Sequence, residues 1–184
     1  MAPGNLGDAT KESVQNVSAL IKKHIGINIS KRDIHIQFLQ SAVKNEGPSA
    51  SITIATAIVS ALTNVPIRQN VAMTGSLSVR GEVLPIGGAT FKTEGAIAAG
   101  IKKIIVPRGN YNDIVLGKGH EGMIEVIPVQ QFWEVLEIAL VEEGRYIVEQ
   151  FKGKRVDFDR QLLEKLFSKR PPFFFFDGNK KSGN

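Results

Sequence analysis

A tight turn that runs straight into a long apolar stretch constrains this chain more than any other feature. Asn45-Glu46-Gly47-Pro48-Ser49-Ala50-Ser51 leads into the run Ile52 to Leu62. The run is long enough for a helix, so Ser49 is expected at or beside its N-terminus. Unpaired backbone N–H groups and the positive end of the helix dipole gather at such a place, which suits a developing oxyanion. A serine hydroxyl becomes a useful nucleophile only when a base takes its proton. Without a base, Ser49 is simply an N-cap. Glu46 has its own plain reading, an acid that complements a helix N-terminus.

Candidate bases are few. The chain has no cysteine, which removes thiol nucleophiles, disulfides and thiolate metal sites together. Its three histidines are His24, His35 and His120. His24 falls in an expected surface helix, and His120 in the loop Gly117-Lys118-Gly119-His120-Glu121-Gly122. His35 is near the serine in sequence, on an expected strand, and reads first as a hydrogen-bonded strand residue. No His-x-x-x-His spacing occurs, which argues against a metal centre.

The remaining class of base is a lysine held neutral, and Lys92 has suitable surroundings. It lies in Leu84-Pro85-Ile86-Gly87-Gly88-Ala89-Thr90-Phe91-Lys92-Thr93-Glu94-Gly95-Ala96-Ile97. Gly87-Gly88 ends one element, and Thr90 or a neighbour can cap the small-residue helix that follows. A lysine in the first turn of that helix meets the positive end of its dipole. Burial against Leu84, Ile86 and Ile97 would add a desolvation penalty. Both effects favour the neutral amine, which can accept a proton from Ser49.

The two residues are part of a longer ordered set. Gly47-Pro48-Ser49-Ala50 is followed by Ala72-Met73-Thr74-Gly75, then Arg80-Gly81-Glu82-Val83-Leu84-Pro85-Ile86-Gly87-Gly88, then Lys92, then Ala98-Ala99-Gly100-Ile101-Lys102-Lys103-Ile104-Ile105-Val106-Pro107. This set closely resembles the proteolytic domain of Lon proteases, from near Leu6-Gly7-Asp8 to about Leu140. The resemblance implies a layered α/β (α+β) fold of the ribosomal protein S5 domain 2-like kind, and a serine endopeptidase with a Ser–Lys dyad. By position, Ser49 is the nucleophile and Lys92 its general base. Thr74 falls on the family's threonine, whose hydroxyl would orient the lysine amine. Gly47 and Pro48 belong to the serine motif, Glu46 stands where bacterial Lon commonly has Asp, and His35 matches a histidine common in bacterial Lon. Ser-Ala-Ser looks more like the archaeal or B-type branch, which often has Asp where this chain has Pro48. The subtype is therefore mixed.

Composition and patterning agree with one domain plus a tail. At 184 residues and 42% hydrophobic content, the chain can bury a sizeable core. No apolar run reaches membrane-spanning length, and Met1-Ala2-Pro3-Gly4 does not read as a secretory signal. The expected location is the cytoplasm, with which the lack of cysteine is compatible. A net charge of +5, with basic residues concentrated in the tail, gives no strong nucleic-acid signal. The periodicity predicts a helix from Asp8 or Thr10, with the stripe Val14, Val17, Leu20, Ile21 and Ile25. It predicts a strand over 33–39, one bent strand or hairpin over 71–83, and a strand over 103–106 closed by Pro107. A short helix over 110–116, a strand over 123–128 and an amphipathic helix over 130–143 complete the pattern. Alternation of this sort argues for a layered α/β domain.

The expected division is 1–142 for the proteolytic domain and 143–184 for a C-terminal extension. The extension carries an amphipathic stretch from Asp157 to Phe167 and the run Phe173-Phe174-Phe175-Phe176. These rings either pack on the domain's own surface or contact a neighbouring subunit or membrane surface. No Gly-x-x-x-x-Gly-Lys-[Ser/Thr] occurs, so the chain is not itself a P-loop ATPase and no cofactor is expected on it. Resemblance places ATP and Mg on a separate or missing AAA+ ATPase module, and implies polypeptide substrates and a homo-oligomer of six subunits. It also implies that strands which precede Leu6 in Lon, and help form its substrate groove, are missing here. The rival class is a non-catalytic Lon-like ring-forming scaffold, as found in a DNA-repair protein. Such relatives typically lack the Ser–Lys pair. A phosphate-cradling small-molecule kinase would need a longer glycine-rich loop than Gly47 to Ser51.

Overall fold

A computed structural model describes residues 8–29, 34–36 and 47–153. Glu46, the Gln37 to Leu39 part of the expected strand, and everything after Gly153 lie outside the described residues. The amphipathic stretch and the phenylalanine run of the tail are among them.

Helix α1, Asp8–Ile25, forms where the apolar stripe predicts it. Val17, Leu20 and Ile21 are fully buried, while Val14 and Ile25 pack at the edge of the same core. Residues 34–36 show no regular structure; Ile34 and Ile36 are half-buried and His35 between them is exposed, an alternation that fits an extended segment.

A short 3₁₀ turn, Pro48–Ala50, leads directly into α2, Ser51–Thr63. This helix is apolar on most of its circumference and is correspondingly central, with Ile52, Ala55 and Val59 sealed from solvent. Its two buried threonine hydroxyls return hydrogen bonds to the helix, Thr56 to Ile52 O and Thr63 to Val59 O, each at 2.7 Å. It ends at Asn64, whose φ of +57° is a left-handed cap that aims its N–H back at Ser60 O.

The sheet is parallel, with strands in the order β1-β4-β5: Val71–Met73, Lys103–Pro107 and Glu125–Val129. Both faces are covered, and the side chains divide accordingly. Val71, Met73, Ile105, Ile127 and Val129 join the large core with α1 and α2. Ala72, Ile104, Val106 and Val126 face the other way, where a smaller cluster includes Ala96 and Ile97 of helix α3, Ala89–Ala98. The molecule is therefore helices, sheet and helix in three layers. Among the described residues, no helix is long and apolar enough to cross a membrane.

The stretch 71–83 is neither one bent strand nor one hairpin. Val71–Met73 stays in the parallel sheet, and only β2, Ser76–Leu77, and β3, Val83–Leu84, pair as an antiparallel hairpin. The expected helix over 110–116 is a 3₁₀ turn at Arg108–Asp113. The helix expected over 130–143 is shorter, α4 at Phe132–Ala139, opened by a Gln131/Glu134 capping box. It stops because the chain turns to pair with the segment after α2: Arg68 N–H donates to Ala139 O, and Val141 N–H to Pro66 O. A fifth helix, α5, follows at Arg145–Phe151 and puts Ile147, Val148 and Phe151 into the large core.

Candidate active site

The turn that carries Ser49 is held from two sides. Pro48 takes the first 3₁₀ position, where no backbone N–H is needed. Ser51 is buried, and its hydroxyl donates to Pro48 O across the turn. Because that hydroxyl has a single proton, Ser13 of α1 must be the donor in the 2.7 Å contact between the two serine oxygens. From the other side, Ser49 O accepts Gly75 N–H at 2.9 Å and the Thr74 hydroxyl at 3.2 Å. Gly75 O in turn accepts Ile52 N–H at 3.3 Å. The loop just beyond β1 is thus stitched to the serine turn.

Thr74 therefore serves Ser49 and not the lysine. Its hydroxyl goes to the serine carbonyl, which corrects the expectation that it orients the amine. Gly75 explains itself by space: a Cβ there would come within 2.9 Å of Val83 Cγ1 and 3.1 Å of Ile52 Cδ1. A larger residue would push the loop off the turn.

Lys92 arrives from the first turn of α3. The helix is capped by Gly88 at φ +71°, without a side-chain cap. Thr90 is not the cap: its hydroxyl donates instead to Asp113 O at 2.9 Å and accepts Val115 N–H at 3.3 Å, tying α3 to the stretch after β4. Lys92 Nζ lies 2.8 Å from Ser49 Oγ, in hydrogen-bonding contact. The expected burial against Leu84, Ile86 and Ile97 is not there, because Lys92 is exposed and Leu84 is itself 42% exposed. Lys92 does stand in the first turn of α3, at the positive end of that helix's dipole.

Ser49 opens onto a groove of about 410 Å³ lined by Gly47, Pro48, Ser49, Pro85, Ile86 and Gly87. The wall opposite the serine motif is the segment 85–87, which continues from β3 and has no strand partner among the described residues. Asn110 holds it, a residue that sequence reasoning treated only as the start of a helix. Asn110 is 5% exposed, and its amide accepts Ile86 N–H at 2.8 Å and donates to Ile86 O at 3.0 Å. The nearby turn signal Pro107-Arg108-Gly109-Asn110 marks an asparagine able to pair with backbone, which is the clue available from sequence.

The other singled-out residues fall as follows. Gly47 and Pro48 line the groove, and Glu46 lies outside the described residues. His35 is exposed, and among the described residues no hydrogen bond joins it to Ser49 or Lys92. His120 sits with Nδ1 4.0 Å from Glu94 Oε1, on the far flank of α3. His24 stacks on Phe151 at 4.9 Å between ring centroids, with Nδ1 3.3 Å from Gln150 O; burial lowers its pKa, as does nearby Lys23, against the backbone contact.

Comparison with known proteins agrees with this architecture. Residues 1–142 match the Lon protease (S16) C-terminal proteolytic domain. The archaeal Lon protease of Methanothermobacter thermautotrophicus is 48% identical over 165 residues, 90% of this chain and 26% of its own length. That of Thermococcus kodakarensis is 61% identical over 137 residues, 74% of this chain and 22% of its own length. A bacterial Lon protease, from Trichlorobacter lovleyi, is 42% identical over 144 residues, covering 74% of this chain and 18% of its own length. The chain thus spans about a quarter or less of the curated relatives it matches. With the serine turn, the parallel sheet and the α3 lysine in the order described, the chain belongs to the family of Lon protease C-terminal proteolytic domains.

Proposed function

We propose that this chain is the proteolytic part of a Lon-type serine endopeptidase, with Ser49 as nucleophile and Lys92 as general base. One observation carries the reading: the 2.8 Å contact between Lys92 Nζ and Ser49 Oγ, inside the range that proton transfer requires. The neutral amine takes the Ser49 proton as Oγ attacks a peptide carbonyl carbon. The resulting oxyanion is held by backbone N–H groups at the start of the Ser49 helix, where Ser49 and Ala50 have the first N–H groups to offer, since Pro48 has none. Lys92 then hands its proton to the departing amine nitrogen as the C–N bond breaks. Water attacks the acyl-enzyme as it gives a proton to Lys92; the tetrahedral intermediate then collapses, the C–O bond to Ser49 breaks, Lys92 returns that proton to Ser49 Oγ, and a carboxylic acid leaves.

On this reading the substrates are polypeptides. ATP and Mg act only on an ATPase module of the longer protein, the working form is a homo-oligomer (six subunits by family resemblance), and the compartment is the cytoplasm. The relatives' printed name, Lon protease, supports the peptidase reading, and their greater length supports a longer protein with a further module. The test is cleavage of a fluorogenic peptide by the wild-type chain and by Ser49→Ala and Lys92→Ala. Each substitution is expected to lower kcat/KM by about a thousandfold or more, with circular dichroism unchanged. Activity retained in either variant contradicts the dyad, and a well-folded wild type without any cleavage favours a scaffold.

A further inference from the structure

We propose that Asn110 is a positioning residue that sets the groove wall facing Ser49, and through it the binding of the peptide beside the scissile bond. The inference rests on the peptidase reading and concerns that same groove. Segment 85–87 supplies half of the lining residues, yet lies past the end of the β2–β3 hairpin and pairs with no strand among the described residues. A segment without a ladder shifts easily, and a substrate groove needs fixed walls. Among the described residues, the Asn110 side chain is what pairs with this segment's backbone. Its amide presents one acceptor and two donors, and it uses them all: Oδ1 takes Ile86 N–H, while Nδ2 donates to Ile86 O and, at 3.0 Å, to Asp113 Oδ2. A side-chain amide thereby pairs with both polar groups of one residue, as a strand's peptide would. Asn110 itself is 5% exposed, so its amide would lose these partners with little water to replace them if the side chain swung away.

A second contact acts in the same sense. The backbone of Gly109 packs directly on Pro85, where a Cβ would come within 2.6 Å of Pro85 Cγ. Gly109 and Asn110 together press Pro85 and Ile86 into place from behind. Two residues beyond Ile86 stands Gly88, the cap of the helix that carries Lys92. The wall and the dyad therefore share one support, yet the lysine has its own anchorage through Thr90 and Asp113 O. Loss of Asn110 should loosen the wall and leave the dyad nearly intact.

The experiment has two readouts on the full chain. Amide hydrogen exchange at Ile86 reports the wall, with Ile105 in the core as reference. Steady-state peptide cleavage, beside the rate of Ser49 modification by a small aryl sulfonyl fluoride, reports the site. In Asn110→Ala, exchange at Ile86 is expected to rise about tenfold or more while Ile105 keeps its rate, since one local bond has lost its acceptor. KM for peptide rises about tenfold, with kcat and sulfonyl fluoride modification within about twofold of wild type. Asn110→Asp keeps an acceptor for Ile86 N–H but sets a carboxylate oxygen against Ile86 O and Asp113 Oδ2, so Ile86 exchange and KM are expected to rise at least as far as in Asn110→Ala. Equal acceleration at Ile86 and Ile105 would mean a general loss of stability and overturns the proposal. Faster Ile86 exchange with unchanged KM overturns it too. A wild type that cleaves no peptide removes the peptidase reading and this proposal's substrate with it. Ile86 protection, unchanged in Ser49→Ala, tells that failure apart from a failure of the Asn110 geometry.

Discussion

Lys92 reaches Ser49 across the surface of α3 and not from within a dry pocket, and this decides what substituting it should do. Lys92→Arg keeps the positive charge but supplies a group that does not give up its proton. Peptide cleavage is expected to fall by about a thousandfold or more, while the thermal midpoint barely moves, because exposed substitutions typically cost no more than about 0.5 kcal/mol. Parallel calorimetry and peptide assays check both halves. Thr74→Val keeps the shape and removes the hydroxyl from Ser49 O, leaving Gly75 N–H as the donor there. It should cost about 1 kcal/mol in urea unfolding and lower kcat more than it changes KM, because the serine's own backbone is what it loosens. The residue types at 49 and 92 were legible in the chain. The exposure of Lys92, and the true partner of Thr74, depended on which loops come together.

At the scale of elements, local pattern was a good guide where burial is simple. The stripe of α1 marks its element because burial on a single face imposes the 3.6-residue period, while the apolar run of α2 and the apolar β4 closed by Pro107 mark theirs because these elements are covered nearly all round or on both faces. Pattern failed where distant segments compete for the same backbone groups. The α4 pattern continues past Ala139, yet its chain exits to bond Pro66 and Arg68, and resumes as α5. Likewise, Val71–Met73 looks like part of a hairpin but finds β4 as its partner. Gly75→Ala tests the link between two such elements. The added methyl meets Val83 and Ile52, so unfolding free energy should drop by about 1–3 kcal/mol. Cleavage should fall further than that loss explains, because Gly75 holds the Ser49 turn through both its N–H and its O.

For the whole molecule, the central fact is a parallel sheet covered on both faces and a large core that α5 completes. Ile147, Val148 and Phe151 sit in that core beside Phe132, which Phe151 meets edge-on at 5.5 Å between ring centroids. Phe151→Ala should therefore destabilise by about 3–5 kcal/mol in chemical denaturation, even though it lies beyond the family match that ends at residue 142. The same contact gives the fold an acid sensitivity. Burial against Phe151 lowers the His24 pKa, so below about 6.5 the unfolded chain binds the proton more readily than the folded one. Stability is then expected to fall as pH drops from about 6.5 through the lower native value, and to be level above it. In His24→Gln that part of the decline disappears; thermal melts from pH 7.5 to 5 read the difference.

The chain's own residues determined the layered α/β class, the serine turn at the head of α2, the lysine early in α3 and, through their ordered motifs, the family resemblance. All of these follow from short-range period, turn chemistry and ordered motifs. Tertiary structure alone decided that the Thr74 hydroxyl meets the serine carbonyl, that the Asn110 amide pairs with the backbone of Ile86 beside the groove, and that α5 shares the core. Those outcomes depend on which backbone groups, far apart in sequence, are left to satisfy one another once the sheet has closed. No local pattern encodes that.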